Sequence, residues 1–292
     1  MNTLAEAWRA RGRYLTVGGF GVFVADVPAA EVELGPPVLV LHAFPTSSFD
    51  FAGVVDELAR HRRVILPDLL GFGLSAKPDL RYSLALQADV VTGLLAGIGV
   101  TRCALMTHDL GNLVGAELLA RHLEGSWPVE VTTRILANGL VYEDLARPSA
   151  GRQFLLQQPD RRFDDEHAPD RVAVMEAVTG AHSPTSSPDP DTLTAQWDLI
   201  AYLDGHLLLP RTARHLAGSA AAERRLTGAI ARHPSPLTLV WGSDDPLAGP
   251  EDACTLAERL GTAEPVFLPG AGRYPMIEAP RRFVDAVSDA LG

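Results

Sequence analysis

The strongest constraint on the fold is a series of short apolar runs in which apolar and polar residues do not alternate. The runs lie at 36–45, 63–69, 103–107, 133–137 and 236–245, and stretches with helical spacing separate several of them. A strand without alternation is buried on both faces, which is typical of a parallel sheet covered by helices. Strands that alternate with helices imply right-handed crossovers. The sequence therefore predicts an α/β fold with a mostly parallel, doubly wound sheet.

The strand signals stop in the middle of the chain. An alternating pair of runs at 13–27 predicts an N-terminal hairpin. From about Val141 to Leu226 no clear strand is found, and helical stretches surround a Pro- and Ser-rich loop at 182–191. An inserted helical segment predicts a cap over the carboxyl ends of the strands, where open sheets bind ligands. We expect an α/β core at 1–140 and 227–292 and a helical cap at 141–226.

Bulk properties exclude several classes of partner. The formal net charge of −11 argues against nucleic acid or an anionic membrane as a partner. No run has the length of a membrane span, and the N-terminus lacks the apolar segment of a signal peptide. Cys103 lies in a strand-like run and Cys254 in a helix-like run, which predicts reduced thiols in the core rather than a disulfide. We expect a cytoplasmic protein with a small, largely apolar substrate and no metal or cofactor. The oligomeric state, including a homodimer, stays open.

The most informative motif is the segment ALMTHDLGNLVG at 104–115. A buried strand ends at His108, and the sequence predicts a helix that begins with Gly111, two positions after Asp109. In a nucleophile elbow, a sharp turn between strand and helix exposes one side chain, and small residues two positions away prevent crowding. Thr107 and Gly111 occupy those flanking positions here. The motif predicts Asp109 as an exposed nucleophile, while the alternative is that Asp109 only caps the helix.

Five segments together resemble the α/β-hydrolase superfamily. Besides the elbow, they are LHAFPTSS at 41–48, PDLLGFGLSAKP at 67–78, VWGSDDP at 240–246 and PGAGRYPMIEAPRRF at 269–283. They occur in the family's order and extend over almost the whole chain outside the cap. An Asp at the elbow, preceded by His108, resembles the branch that contains epoxide hydrolases and haloalkane dehalogenases.

This resemblance implies roles for individual residues. Asp109 would attack an sp³ carbon and form an alkyl-enzyme ester, and Asp245 would be the acid of the triad. His42 and Phe44 lie in the loop that helps to form the oxyanion hole, and Leu110 follows the nucleophile. Neither Phe44 nor Leu110 has a side-chain donor for a halide, which weakens the dehalogenase hypothesis.

An epoxide hydrolase would need cap donors to protonate the opening alkoxide. Tyr202 is the first candidate for this donor, and Tyr142, Trp197 and His206 are the others. Each of these side chains could instead belong to the core or to the surface.

The expected catalytic histidine is replaced. Arg273 stands at its position in GAGRYP, and no histidine follows His233. Arginine stays protonated and cannot act as a general base. We expect Arg273 to pair with Asp109, Asp245 or both. His42 and His108 are weaker candidates for a replacement base.

Three hypotheses about function remain open. The first is an epoxide-hydrolase-like enzyme with an altered deacylation step. The second is a non-hydrolytic enzyme, such as a lyase, cyclase or isomerase, in which Arg273 binds an anionic group. The third is a binding protein that has lost the chemistry. A pair of tyrosines over Asp109 would favour the first, a second basic group the second, and a wholly apolar pocket the third.

Overall fold

A computed structural model describes residues 1–139, 141–145, 147, 149–216 and 220–292. Its eight-stranded sheet has the order β1-β2-β4-β3-β5-β6-β7-β8. The strands are β1 (Gly12–Val17), β2 (Phe20–Val27), β3 (Val38–Leu41), β4 (Val64–Pro67), β5 (Arg102–His108), β6 (Glu130–Ala137), β7 (Leu237–Gly242) and β8 (Val266–Leu268). β1 and β2 form the predicted hairpin and β2 pairs antiparallel with β4, whereas all pairs from β4 to β8 are parallel. The predicted mostly parallel α/β sheet is confirmed.

Helices cover both faces of the sheet. The core helices are α1 (Thr3–Ala10), α2 (Val55–Leu58), α3 (Leu84–Gly97), α4 (Leu110–Leu123), α10 (Pro250–Leu260), α11 (Pro275–Glu278) and α12 (Pro280–Leu291). One apolar core lies between the sheet and the side that carries α1, α2 and α12, with Trp8, Phe51 and Phe283 among its largest members. The second core lies beneath α3, α4 and α10. β3, β4 and most of β5 are buried along their length, which explains their unbroken apolar sequences.

Among the described residues between β6 and β7, helices connected by loops are found and no strand is present. This segment contains α5 (Ala150–Gln157), α6 (Arg171–Thr179), α7 (Pro190–Ala201), α8 (Leu209–Thr212) and α9 (Ala220–Arg232), with 3₁₀ turns at Tyr202–Leu208 and Ala213–Leu216. Ser149, Asp170 and Asp189 accept hydrogen bonds from the first turns of α5, α6 and α7, and these caps set the starts of the helices. α9 packs against α4 of the core. The predicted division at residue 227 falls inside α9, so the domain boundaries stay a prediction.

Two further observations concern the helices. The sequence from about Phe49 to Arg60 predicts one helical stretch, but the structure has a 3₁₀ turn at Ser48–Phe51 and the single turn α2 there, which corrects that prediction. Among the described helices, none is both long enough and apolar enough to cross a membrane.

Candidate active site

The turn between β5 and α4 has the geometry of an elbow. Asp109 has φ 52° and ψ −110°, a backbone conformation that residues other than glycine rarely adopt and that costs about 1–3 kcal/mol. Space around the turn is minimal, because a Cβ at Gly111 would lie 2.2 Å from the carbonyl oxygen of Leu41, and one at Gly139 would lie 2.5 Å from the Asp109 Cα. The Asp109 side chain forms no capping hydrogen bond with α4. The alternative that Asp109 only caps the helix is therefore wrong.

Both oxygens of the Asp109 carboxylate have a partner. Oδ2 accepts a hydrogen bond from the backbone N–H of Phe44 at 3.2 Å, and Oδ1 lies 3.1 Å from Nη2 of Arg273. Phe44 follows β3 closely, in the loop predicted to contribute to an oxyanion hole. Leu110 begins α4 directly after Asp109, and its side chain is buried. The elbow and the β3 loop thus position one carboxylate oxygen at a backbone donor.

Arg273 bridges the two acids, as the sequence predicted. Its Nη1 donates to Oδ2 of Asp245 at 2.9 Å, while Nη2 contacts Asp109. Asp245 is buried and also accepts hydrogen bonds from the backbone N–H groups of Leu247 at 2.9 Å and Ala248 at 3.3 Å. Arg273 therefore lies between the predicted nucleophile and the predicted acid of the triad, at the position where the resemblance implies a histidine.

The ionisation of this group follows from burial and charge. Burial raises the pKa of Asp109, but the attraction of Arg273, together with His108 and the Phe44 hydrogen bond, outweighs it and leaves that pKa below its usual range. Burial lowers the pKa of Arg273, but attraction to Asp245 and then to Asp109 leaves it above its usual range. Asp109 is thus a carboxylate and Arg273 a permanent cation at neutral pH.

The two histidines considered as replacement bases are both engaged. The His108 ring reaches the carbonyl oxygen of Arg273 with Nε2 at 2.9 Å, so this nitrogen carries the proton and donates. Burial lowers the pKa of His108 to about 4. His42 donates from Nδ1 to the carbonyl of Ala43 at 2.8 Å and accepts from the Leu69 N–H at Nε2, 2.9 Å away. These contacts indicate structural roles for both side chains.

Asn138 is a site residue that the sequence analysis missed. It follows β6, donates from Nδ2 to Oδ2 of Asp245 at 2.7 Å, and accepts from the Gly242 N–H at 2.9 Å. Its carbonyl oxygen accepts from the N–H of Asp109 at 3.0 Å. A polar residue directly after a buried strand was the available signal, since Asp109 was found by the same rule.

A cavity of about 520 Å³ lies over Asp109. Phe44, Arg273 and Tyr274 line it from the core. The segment between β6 and β7 contributes aliphatic and small side chains together with the polar residues Arg147, Ser149, Arg152 and His167. Helices α5 and α6 provide much of this wall. The cavity has the size and the mixed lining of a site for a small molecule.

The four predicted cap donors do not line this cavity. The Tyr202 ring lies 5.9 Å from the Arg9 guanidinium and 5.7 Å from Nζ of Lys77, and the ring of Tyr142 lies 5.0 Å from the Arg259 guanidinium. Trp197 and His206 contact each other, with ring centroids 5.7 Å apart. The candidates Trp197, Tyr202 and His206 lie on α7 and in the turn after it, which pack towards α1 rather than over the elbow.

Arg152 on α5 is the charged side chain of this segment that lines the cavity without a carboxylate partner. Among the described residues, no carboxylate oxygen lies within 4.0 Å of its guanidinium, and its buried Nε has no hydrogen-bond partner. Burial lowers the pKa of Arg152, and the attraction of Asp109 opposes this effect. Sequence alone did not distinguish Arg152 from surface arginines. The described residues contain no cluster suited to holding a metal ion.

This chain is similar to known proteins both in sequence and in structure. Residues 38–286 match the model of the alpha/beta hydrolase family. LipZ, a provisionally named hydrolase from Mycobacterium tuberculosis, is 35% identical over 287 residues, which are 97% of this chain and 96% of LipZ. Epoxide hydrolase 3 from Xenopus tropicalis is 27% identical over 141 residues, 48% of this chain and 35% of that protein. An alpha/beta hydrolase fold protein from Burkholderia ambifaria has a TM-score of 0.73 and 25% identity, over 95% of this chain and 97% of its own.

Proposed function

This chain belongs to the alpha/beta hydrolase family, and we propose that it is an epoxide-hydrolase-like enzyme in which Asp109 forms a covalent alkyl ester. The observation that carries the proposal is the Asp109 carboxylate, which is ionised, held at an elbow and faces an apolar cavity. A carboxylate is a suitable nucleophile for an sp³ carbon with a strained or departing oxygen.

The proposed first step uses the two Asp109 oxygens differently. Oδ1 forms a bond to an epoxide carbon, the carbon–oxygen bond of the ring breaks, and its electron pair stays on the oxygen as an alkoxide. The alkoxide takes a proton from a water molecule, and the hydroxide that forms leaves to the solvent. Oδ2 becomes the ester carbonyl oxygen and keeps the Phe44 N–H as a donor. Ester formation removes the negative charge of Asp109, and Arg273 retains its ion pair with Asp245.

The second step lacks its usual base. Water must attack the carbonyl carbon of the ester, which is Cγ of Asp109, and negative charge then develops on Oδ2 next to the Phe44 N–H. Arg273 cannot accept the proton of this water, and both ring nitrogens of His42 are hydrogen-bonded. His108 is fully buried, and its burial lowers its pKa to about 4, which makes it a poor base. General-base help contributes a factor of about 10² to 10⁴ in rate. We therefore expect the ester to form and to hydrolyse slowly, on a timescale of minutes or longer.

Replacing Arg273 with His tests this directly. The ester should accumulate in wild type treated with simple epoxides, and Arg273→His should hydrolyse it about 10² to 10⁴ times faster, because a base oriented by Asp245 is restored. The measurement is single-turnover kinetics with intact-protein mass spectrometry. Asp109→Asn is the blank, and thermal unfolding of each variant is recorded alongside.

Two outcomes would contradict different parts of this proposal, the slow second step and the nucleophile. Rapid multiple turnover by wild type, unchanged in Arg273→His, would mean that another residue is the base. The absence of an adduct across a panel of epoxides and alkyl halides would contradict a nucleophilic Asp109.

A second candidate is a non-hydrolytic enzyme, such as a lyase, cyclase or isomerase, on the same scaffold. The observation that favours it is a second guanidinium, Arg152, in the same cavity as Arg273, whereas neither Tyr142 nor Tyr202 lines that cavity. Two cations suit a substrate that carries or develops negative charge. We place this candidate second because the family whose model matches this chain is one of hydrolases. A pure binding protein is favoured less, because the cavity is not wholly apolar. A haloalkane dehalogenase is also disfavoured, since neither Phe44 nor Leu110 offers a side-chain donor to a halide.

A further inference from the structure

Among the described residues, the positive charge of Arg152 has no carboxylate paired with it. The other arginines that line the cavity have such a partner. Arg273 contacts two carboxylates, and Arg147 donates to Oδ1 of Asp252 at 3.2 Å. Arg152 is half-buried, and Asp109 and Glu143 act on it only at longer range. A desolvated cation without a counterion is costly, so such a group in a cavity indicates a missing anion.

The cavity wall next to Arg152 is aliphatic. Ala173, Val174, Ala177 and Val178 come from one face of α6, and Leu209 adds to the same lining. α5 and α6 approach closely beside Arg152, because a Cβ at Gly151 would lie 3.2 Å from that of Ala177. A cation and an apolar wall are therefore adjacent, which suits a ligand with one charged end and one apolar end.

We propose that this cavity binds an aliphatic carboxylate whose head group pairs with Arg152 and whose chain packs along α6. The planar guanidinium matches a carboxylate in two parallel hydrogen bonds. The inference deepens the proposed function, because it names the substrate class, and it rests on that function only in treating the ligand as a substrate.

Charge balance during the reaction supports the same ligand. Before reaction, Asp109 is the anion in the cavity that attracts Arg152. Ester formation neutralises Asp109 and leaves Arg152 without that attraction. A carboxylate carried by the substrate supplies the missing negative charge and stays in the cavity with the ester.

Binding of octanoate and of octanamide, a neutral analogue of the same length, tests the proposal by calorimetry. We expect wild type to bind octanoate at least about tenfold more tightly than octanamide, because a charge-assisted hydrogen bond is much stronger than a neutral one. Arg152→Gln should abolish this preference and leave octanamide binding unchanged. Arg161→Gln, which removes an exposed arginine of the same segment, is the matched control and should retain the preference. Asp109→Asn should bind octanoate more tightly than wild type, because a like charge is removed.

Arg152→Lys keeps the inference testable if Arg152→Gln does not fold. It retains the charge without the planar fork, so it should still prefer octanoate but bind it more weakly. Equal affinity of wild type for octanoate and octanamide, or an unchanged preference in Arg152→Gln, would overturn the inference. Octanoate binding that depends on Arg152, combined with no covalent adduct on Asp109, would support the inference and contradict the proposed nucleophile. A covalent adduct on Asp109, combined with no preference for octanoate over octanamide, would support the proposed nucleophile and contradict the inference.

Discussion

At the scale of single residues, Arg273 fixes both the position and the ionisation of Asp109. Burial alone would raise the pKa of Asp109, and the Arg273 guanidinium 3.1 Å away is the largest influence that lowers it. A low pKa keeps the carboxylate of Asp109, the proposed nucleophile, ionised but makes it less basic. The same arginine therefore secures the first step of the proposed reaction and prevents base help in the second.

The pH dependence of Asp109 alkylation follows from this pairing. In wild type, reaction with an epoxide should persist below the usual titration range of an aspartate, because the reactive carboxylate resists protonation. In Arg273→Met, Asp109 stays buried but loses the attraction of the guanidinium. The pH midpoint of Asp109 alkylation should therefore move to higher pH by about 1 to 3 pH units. Arg273→Lys, which retains a cation, is the control. Alkylation rates between pH 3.5 and 8 measure both, and superimposable profiles for wild type and Arg273→Met would contradict the assignment.

At the scale of elements, a buried carboxylate joins α7 to the 3₁₀ turn at Ser48–Phe51. Oδ1 of Asp50 accepts from Nε2 of Gln196 on α7 at 2.8 Å, and Oδ2 accepts from the Thr46 hydroxyl. Burial raises the pKa of Asp50 to about 7, although the hydrogen bonds from Thr46 and Gln196 oppose it. The contact between these two elements is thus sensitive to protonation near neutral pH.

This contact predicts a stability that depends on pH. The pKa of Asp50 is higher in the folded chain than in the unfolded chain, so the folded chain binds more protons between about pH 4 and 7. The free energy of unfolding should fall as pH rises through this window, by up to about 4 kcal/mol from this residue. Asp50→Asn should remove that part of the dependence, whereas Asp191→Asn on the exposed side of α7 should not. Urea unfolding at pH 4, 5.5 and 7.5 measures it, and parallel curves for wild type and Asp50→Asn would refute it.

The sequence predicted elements better than it predicted contacts across the cavity. The unbroken apolar strands identified the sheet. The elbow pattern identified Asp109 and the resemblance to the family identified Asp245 and Arg273, and the structure brings these three side chains together. Tyr202 does not line the cavity because it lies near Arg9 of α1, a tertiary contact that no sequence pattern signalled. Arg152 was missed because its environment depends on how α5 packs against α6. Local spacing fixes which residues follow a strand, whereas the direction of a cap side chain depends on tertiary packing.

At the scale of the whole molecule, the N-terminal helix holds α7 against the core. α1 packs against α7, and the Asn2 N–H donates to Oδ2 of Asp198 on α7 at 2.6 Å. On its other side, the buried Trp8 packs edge-on against Phe49 and donates from Nε1 to the Ser48 hydroxyl at 3.2 Å. α1 is thus in contact both with the helical segment and with the turn after β3, close to the Asp50–Gln196 contact. Movement of α7 relative to the sheet would require these contacts to open.

Truncation of Trp8 should therefore loosen α7 more than it loosens the sheet. Trp8→Ala removes a large buried side chain and should lower the free energy of unfolding by about 3–5 kcal/mol. Amide hydrogen exchange in 190–201 should then accelerate beyond the exchange of β5, because α7 loses its support while the parallel strands keep their own. Trp127→Ala is the matched control, since Trp127 is equally buried but lies in the opposite core beneath α3 and α4. In that variant α7 and β5 should change together. Equal acceleration of α7 and β5 in Trp8→Ala would show that α1 stabilises the molecule only as a whole.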